Sequence, residues 1–355
     1  MQRTLSTTPL VQPRPLGVIA PVVVQVLAGT LSIVGGLGSL ASGAAVPDGL
    51  GLLRPLAPIF PAALLVIGAF FLVCSYGLWY GQRWAWLAAI GFSVLHIVAD
   101  VGFVADRAFG LDKVIGLVVI VGVLCCLTRS SVVAYVGVDA SVLTDRLLLA
   151  GAAGGLLFPS IALVESATRP GYDPWVHFVS ELSLSEYGWM QIANFIICAT
   201  LILAGVLGLS RQLGGSWGPR LLGVYGLALL VAGVFVTDPT HGYPAGAENA
   251  LPTTSGLLHG LAGLFCFNSL MIAVFVFGRY FSGRSRGWAH YSLATGLLVF
   301  AGNWGSLISS VLNESGRAVD APTGLVQRVA IIVGWTWFAA LALHVRGTNA
   351  SSRFS

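Results

Sequence analysis

Six side chains that can exchange protons, bind a metal ion or hold a carboxylate lie at or near the ends of apolar runs in the second half of the sequence. They are His177 and Glu181 in "YDPWVHFVSELS", Asp238 and His241 in "TDPTHGYP", His259 in "SGLLHGLAG" and Arg328 in "GLVQRVAII". Histidine and carboxylate groups act as general acids, general bases and zinc ligands. An ionisable group inside an apolar run costs free energy unless it is paired or lines a wet cavity, so each of these residues is a candidate for a functional site.

The elements that position these residues are membrane-spanning helices. Of the 355 residues, 56% are hydrophobic and 9% are charged, and the mean hydropathy is +0.86, whereas a soluble chain carries about 25% charged residues. A helix needs about 20 mostly apolar residues to cross a bilayer. Ten such stretches occur, at 16–40, 57–80, 84–105, 113–128, 146–166, 189–210, 220–238, 256–278, 288–311 and 323–345. The runs are continuous rather than alternating, which excludes a porin-type barrel and predicts an all-α, polytopic bundle of four plus six helices.

The distribution of basic residues predicts the orientation. Cytoplasmic loops carry an excess of Lys and Arg. If the first of ten helices enters from inside, twelve of the 18 basic residues fall on the cytoplasmic side. We therefore expect an inner, or plasma, membrane protein with both termini in the cytoplasm. The first apolar run is too long for a signal-peptide core, so a retained helix is expected. The expected partner is the lipid bilayer, and no stripe of Arg and aromatic residues indicates nucleic acid.

The longest polar interval on the cytoplasmic side, at about 129–146, is the expected domain boundary. The fourth apolar run is short, and we expect it to continue through Ser130 and Ser131. The expected segments are a cytoplasmic tail at 1–15, a four-helix membrane domain at 16–130, a cytoplasmic linker at 131–145, a six-helix membrane domain at 146–346 and a cytoplasmic tail at 347–355. The cysteines lie inside apolar runs without metal-ligand spacing and predict no disulfide framework.

Under this topology the polar stretches and the start of the last helix share the extracytoplasmic side, so their side chains can meet. The spacing of His177 and Glu181 predicts one shared face if "WVHFVSEL" forms a short helix along the interface. Arg328 lies a little inside the last helix and needs a partner. Glu181 and Asp238 are the carboxylates expected to pair with it.

The expected roles follow from residue type. The candidate catalytic residues are Glu181, Asp238, His177 and His259. The candidate substrate-binding residues are Arg328, His241, Tyr243 and Trp175. The candidate metal ligands are His177, His241 and His259, and Zn²⁺ is the cofactor that such ligands suit.

The segment from about 146 to 346 resembles the bacterial and archaeal membrane family named domain of unknown function 998. The resemblance is carried by the P-x-x-x-x-[IV]-S-E-L pattern at Pro174 to Leu182, by the "TDP" and "YP" of the second stretch, by His259 with Gly260, and by the "QR" and Trp of the last helix. It implies a six-helix integral membrane domain. Membership in this family implies no activity.

Four functions fit these residues. The first is a multi-pass membrane protein whose extracytoplasmic polar pocket of His, Asp, Glu and Arg binds or acts on a lipid-like or small hydrophobic molecule. The second is an intramembrane zinc hydrolase, in which the metal activates a water molecule. The third is a transporter of a small molecule or cation, although no internal repeat is visible. The fourth is a structural protein whose charges form an ion-pair network, so whether the chain is an enzyme stays open.

Overall fold

The structure, a computed structural model, describes residues 14–42, 59–105, 111–214, 216–247, 251–318 and 320–351. Helices make up most of these residues, and no strand occurs among them. The helices are α1 (Leu16–Ser42), α2 (Phe60–Trp79), α3 (Arg83–Ala105), α4 (Leu111–Leu127), α5 (Ser130–Tyr135), α6 (Ala140–Thr168), α7 (Gly188–Leu213), α8 (Trp217–Val234), α9 (Thr254–Ser282), α10 (Arg286–Glu314) and α11 (Thr323–Ser351). The all-α prediction is confirmed. Of the predicted tails, 1–13 and 352–355 lie outside the described residues.

The helices have the length and composition of membrane spans. Eight of those described, α1, α2 and α6 to α11, are long and apolar enough to cross a membrane. Within the same residues, α3 and α4 contain shorter apolar segments, Arg83–Ile97 and Val118–Leu127. The polytopic architecture is therefore confirmed, with eight full-length spans and two shorter apolar segments among the described residues where ten spans were expected.

The fourth apolar run does not continue as expected. α4 ends at Leu127, and α5 is a separate helix that begins at Ser130. Arg129 between them has an extended backbone (φ −61°, ψ 140°), so the chain leaves the helical direction there. The expected continuation is wrong for this reason. α6 begins at Ala140, and part of the predicted linker is therefore helical.

Contacts divide the chain into two compact units, Met1–His96 with Ile115–Ala140 and Ile97–Val114 with Ser141–Ser355. Each unit is held together by its own close helix packing. Because lipid offers no hydrophobic drive between helices, small residues that let backbones approach are the usual means of packing them.

In the first unit, α1 and α2 approach through glycine. A Cβ added to Gly29 would lie 2.9 Å from the carbonyl oxygen of Gly68. The indole Nε1 of Trp86 donates to the Leu127 carbonyl (2.9 Å), which joins α3 to the end of α4. These contacts fix the packing inside this unit.

In the second unit, six helices are arranged in a ring. A Cβ added to Gly151 of α6 would lie 2.5 Å from the Cα of Gly205 in α7, and one added to Gly155 would lie 2.8 Å from the Trp335 carbonyl oxygen in α11. Each of α8, α9, α10 and α11 packs against the helix before it. α6 therefore closes the ring by contacting both α7 and α11.

Three connections of this unit lie at the same end of the ring: 169–187 after α6, 235–253 after α8 and 315–322 after α10. Their described residues are called the polar cap below. At the opposite end, Arg346 Nε and Nη2 donate to Asp145 Oδ1 (2.7 Å) and Oδ2 (3.1 Å), which joins α11 to α6.

Candidate functional site

Arg328 holds the first connection of the polar cap against α11. The residue is only 6% exposed. Its guanidinium donates to the carbonyls of Pro174 (2.6 Å) and His177 (3.1 Å), to Ser166 Oγ (3.1 Å) and to the Tyr172 hydroxyl. Among the described residues it has no carboxylate partner, so the expected ion pair with Glu181 or Asp238 is wrong. The connection turns two carbonyls toward α11, and both carboxylates accept hydrogen bonds elsewhere.

The same connection caps the start of α11. The Trp175 carbonyl accepts from the backbone N–H groups of Gly324 (3.0 Å) and Leu325 (3.2 Å), which belong to the first helical turn and lack partners inside the helix. A Cβ on Gly324 would collide with the His177 carbonyl oxygen. The Trp175 indole is half exposed and donates to the Asp320 carbonyl (2.9 Å). Trp175 thus joins two connections of the cap.

Glu181 is fully buried at the centre of the polar cap. One carboxylate oxygen accepts from the backbone N–H of Phe178 (2.7 Å), and the other accepts from the N–H (3.0 Å) and hydroxyl (2.7 Å) of Thr240. Glu181 sits in a 3₁₀ turn, Val179–Ser183, that begins after His177. The predicted helix that would carry both side chains on one face is therefore wrong.

Both ring nitrogens of His177 make hydrogen bonds. Nδ1 accepts from the backbone N–H of Asp173 (2.8 Å), so it carries no proton, and Nε2 donates to the His241 carbonyl (3.2 Å). The ring is thus held in the neutral Nε2–H form. His177 links the first two connections of the cap and presents no free nitrogen to a ligand.

His241 lies between two carboxylates. Its backbone is left-handed (φ 51°), which is uncommon for a residue other than glycine. Nε2 is 3.3 Å from Ser310 Oγ, and that hydroxyl donates to Glu314 Oε1 (3.0 Å). Nδ1 is 3.9 Å from Glu181 Oε2 and has no hydrogen-bond partner within the described ranges. Glu181, His241, Ser310 and Glu314 therefore form one row of titratable and hydroxyl groups.

Asp238 caps the start of α9. Its two carboxylate oxygens accept from the backbone N–H (2.8 Å) and the hydroxyl (2.6 Å) of Thr253. Thr253 is the N-cap residue of α9, and its Oγ1 accepts from the Gly256 N–H (3.0 Å). A negative charge at a helix N-terminus is stabilising, so this contact has a structural purpose.

Tyr243 packs among the rings of the cap and is nearly fully buried. Its ring lies edge-on to Tyr172, with centroids 5.2 Å apart, and 5.3 Å from the ring of His177. Burial raises the pKa of Tyr172 above its usual range, although the charge of Arg328 opposes this shift. Tyr172 therefore stays a neutral hydroxyl and donates to the Phe178 carbonyl (2.8 Å).

Beneath the polar cap, a cavity of about 360 Å³ lies among all six helices. Five rings form a row along it: His259, Phe195, Phe158, Trp335 and Tyr225, with neighbouring centroids 4.2 to 6.0 Å apart. The Tyr225 hydroxyl is buried and has no partner among the residues that the structure describes. Mostly apolar walls with few polar groups are typical of small-molecule sites.

His259 stands at the cap end of this row, about a turn inside α9. Its Nδ1 lies 2.9 Å from the Ala232 carbonyl oxygen and 2.7 Å from that of Phe235, at the end of α8. The ring lines the cavity. Asn303 and Ser306 of α10 line it as well, so the polar part of the wall comes from neighbouring helices.

The cavity wall is incomplete between α9 and α10. Leu264 and Leu307 line the cavity and are 45% and 41% exposed. A Cβ on Gly260 or Gly263 would meet no described atom within 4 Å. Farther from the cap the two helices are in contact, since a Cβ on Gly296 would lie 2.7 Å from the ring of Phe275. The open part of the wall is therefore confined to the half nearer the cap.

The three histidines expected as metal ligands do not share a site. Within the described ranges, no group of three His, Cys, Asp or Glu side chains could hold a metal ion. His177 has both nitrogens in hydrogen bonds, and Nδ1 of His259 faces two carbonyls.

Residues 152–344 match the family model described as "Protein of unknown function (DUF998)". The match covers more than half of the chain. The chain belongs to the DUF998 family. The resemblance found in the sequence is confirmed. No curated protein and no solved structure matches the chain.

Two groups of this DUF998 protein could not be identified from the sequence. Tyr225 lies inside an apolar helix, and Ser310 is one of several serines near the end of α10, so residue type does not distinguish either of them. The spacing of Ser306 and Ser310, one turn apart in α10, is the feature of the sequence that indicates a polar helix face. By contrast, Glu181, His177, His241, Tyr243 and Trp175 meet in the cap, whereas Asp238 binds Thr253 at its edge.

Proposed function

We propose that this protein binds a lipid-like molecule in the cavity of its second unit and that the ligand enters from the bilayer between α9 and α10. The observation that carries the proposal is the incomplete wall at Gly260, Leu264 and Leu307, which opens an aromatic cavity to the lipid-facing surface. A cavity of about 360 Å³ is within the usual range for such sites, about 300–1,000 Å³.

The polar cap, in this proposal, is the extracytoplasmic roof of the site. Arg328 and Glu181 fix the connections over the cavity, and Asp238 fixes the start of α9 beside it. Phe178 belongs to both parts, because it lines the cavity and its ring lies 5.7 Å from that of His241. In this proposal the protein lies in a bacterial inner membrane, and the excess of basic residues on one side favours both termini in the cytoplasm.

Filling the opening tests the proposal. Gly260→Leu and Gly263→Leu place a branched side chain at the mouth of the cavity. We expect purified parent protein to retain lipid through detergent exchange and these variants to retain on the order of tenfold less, as measured by mass spectrometry of extracted lipid. Gly122→Leu is the matched control, since Gly122 of α4 also faces open space but lies in the first unit. Equal retention by all four proteins, or none by the parent, contradicts the proposal.

A second candidate, an acyl hydrolase, is favoured by the row that contains Ser310. Its hydroxyl oxygen is 3.3 Å from His241 Nε2, and Nδ1 of that ring is 3.9 Å from Glu181. Serine, histidine and carboxylate in this order form a nucleophilic triad, once the hydroxyl turns from Glu314 toward the ring. A fluorophosphonate probe would then label the parent and fail to label Ser310→Ala. An unlabelled parent in native membranes counts against this candidate.

A further inference from the structure

The end of α8 determines which nitrogen of His259 carries a proton. The Ala232 and Phe235 carbonyl oxygens both lie within hydrogen-bond distance of Nδ1. A carbonyl only accepts, so Nδ1 must donate. In the neutral ring Nε2 then holds a lone pair and accepts a hydrogen bond. Among the described residues Nε2 makes none, although His259 lines the cavity and is 8% exposed as a whole residue.

We infer that the ligand of this cavity is a lipid alcohol whose free hydroxyl donates a hydrogen bond to Nε2 of His259. This inference rests on the proposed function and names its substrate class. A hydroxyl supplies the missing donor without bringing a charge into the membrane. Ethers, esters and ketones only accept, so they leave Nε2 unpaired. The apolar walls and the opening toward the bilayer suit the hydrocarbon or isoprenoid chain that carries the hydroxyl.

The Tyr225 hydroxyl, at the far end of the row of rings, is also without a partner among the described residues. A phenolic hydroxyl both donates and accepts, so it can bind an ether as well as an alcohol and does not select between them. His259 lies in the second turn of α9, close to the polar cap, whereas Tyr225 is in the middle of α8. The polar end of an amphiphile is favoured near the interface, which assigns the hydroxyl to His259.

A pair of matched probes tests this assignment on the unmodified chain. A dibrominated octadecanol and its methyl ether differ only in the donor, and bromine quenches indole fluorescence on contact. Trp335 lines the cavity, so Trp335→Phe gives the background from the other indoles. We expect the alcohol to quench the Trp335 signal at about one tenth of the mole fraction that the ether requires, the ratio expected when a buried acceptor is left unpaired.

The outcomes separate the inference from the function on which it rests. Equal quenching by alcohol and ether overturns the inference and leaves lipid binding intact. Quenching by neither probe overturns the proposed function. Quenching by the alcohol alone, or at the lower mole fraction, supports both.

Two variants locate the hydroxyl. In His259→Asn the side-chain amide can still donate to the Ala232 and Phe235 carbonyls, but no acceptor reaches the position of Nε2. We expect this variant to bind the alcohol and the ether alike. Tyr225→Phe keeps its ring, and we expect it to keep the preference for the alcohol. The reverse pattern would place the hydroxyl at Tyr225 and overturn the assignment to His259.

Discussion

Arg328 is a buried cation that is stabilised by neutral oxygens. Two carbonyls and two hydroxyls surround its terminal nitrogens, and its ring partner is Tyr172, 5.3 Å from the guanidinium carbon. A guanidinium presents its donors in a rigid planar fork, so it can bridge oxygens that lie on either side of it. The side chain therefore acts as a clamp on the connection after α6.

Replacing Arg328 by lysine keeps the positive charge but removes the planar guanidinium group. We expect Arg328→Lys to lower the free energy of unfolding by about 2 kcal/mol or more, because one ammonium group cannot reach four oxygens on different sides. Thermal unfolding of the purified protein measures the effect. Arg317→Lys is the control, since Arg317 is exposed in the same cap. Similar stability of the two variants would show that the fork is dispensable.

Asp238 and Arg328 act independently in this structure. Asp238 binds Thr253 at the start of α9, and Arg328 binds the connection after α6. A double-mutant cycle with Asp238→Asn and Arg328→Gln should therefore be additive within about 0.5 kcal/mol. The measurement is again the free energy of unfolding. A larger coupling energy would mean that Asp238 and Arg328 interact, in contradiction to the observed contacts.

The sequence predicted which residues gather in the cap better than it predicted their partners. Membrane topology alone brings Glu181, His241 and Arg328 to one end of the unit. Their hydrogen bonds depend on the directions of individual carbonyls and N–H groups in the connections, and residue types do not set these directions. The expected ion pair of Arg328 is wrong because its guanidinium donates to the carbonyls of Pro174 and His177 instead.

At the scale of elements, helix packing in the second unit depends on glycine where α6 crosses α7. A Cβ on Gly205 would lie 2.6 Å from the Cα of Gly151 and 3.1 Å from the ring of Phe338. Backbone cannot give way as a flexible side chain can, so both helices would have to separate. The crossing is therefore fixed more tightly than one between larger side chains.

We expect Gly205→Ala to lower the free energy of unfolding by about 1–3 kcal/mol, the usual cost of overpacking a close contact. Gly223→Ala is the matched control, because the Cβ added there meets only a Val206 methyl carbon, at 3.9 Å. Thermal unfolding in the same detergent compares the two. Equal stability of Gly205→Ala and Gly223→Ala would contradict the close approach of α6 and α7 at Gly151 and Gly205.

Hydropathy predicted where the long helices lie, but it did not predict the short elements α5 and the 3₁₀ turn. Glu181 lies in a 3₁₀ turn because the residues before it bond locally: the Trp175 N–H donates to Asp173 Oδ1 (2.8 Å) and the Asp173 N–H donates to His177 Nδ1. Such side-chain bonds compete with helix formation. A pattern of apolar residues cannot reveal this competition, since it is decided by the local polar partners.

At the scale of the whole molecule, the proposed orientation has a direct test. Ser315 is exposed in the polar cap, and Ser282 is exposed at the opposite end of α9. A membrane-impermeant maleimide added to intact cells should label Ser315→Cys and leave Ser282→Cys unlabelled until the membrane is broken. The parent protein gives the background from its own cysteines. Labelling of Ser282→Cys alone would invert the topology.

For a ligand that enters through the gap beside Gly260 and Gly263, the relevant concentration is its fraction of the membrane lipid, not its concentration in water. A ligand that enters through it passes from one hydrocarbon phase to another and need never dissolve in water. Its occupancy then follows its share of the membrane area, and micelles added during purification dilute it as a solvent would. A dissociation constant in molar units would therefore change whenever the amount of lipid changes. The mole fraction of ligand in the lipid that saturates the site would stay the same.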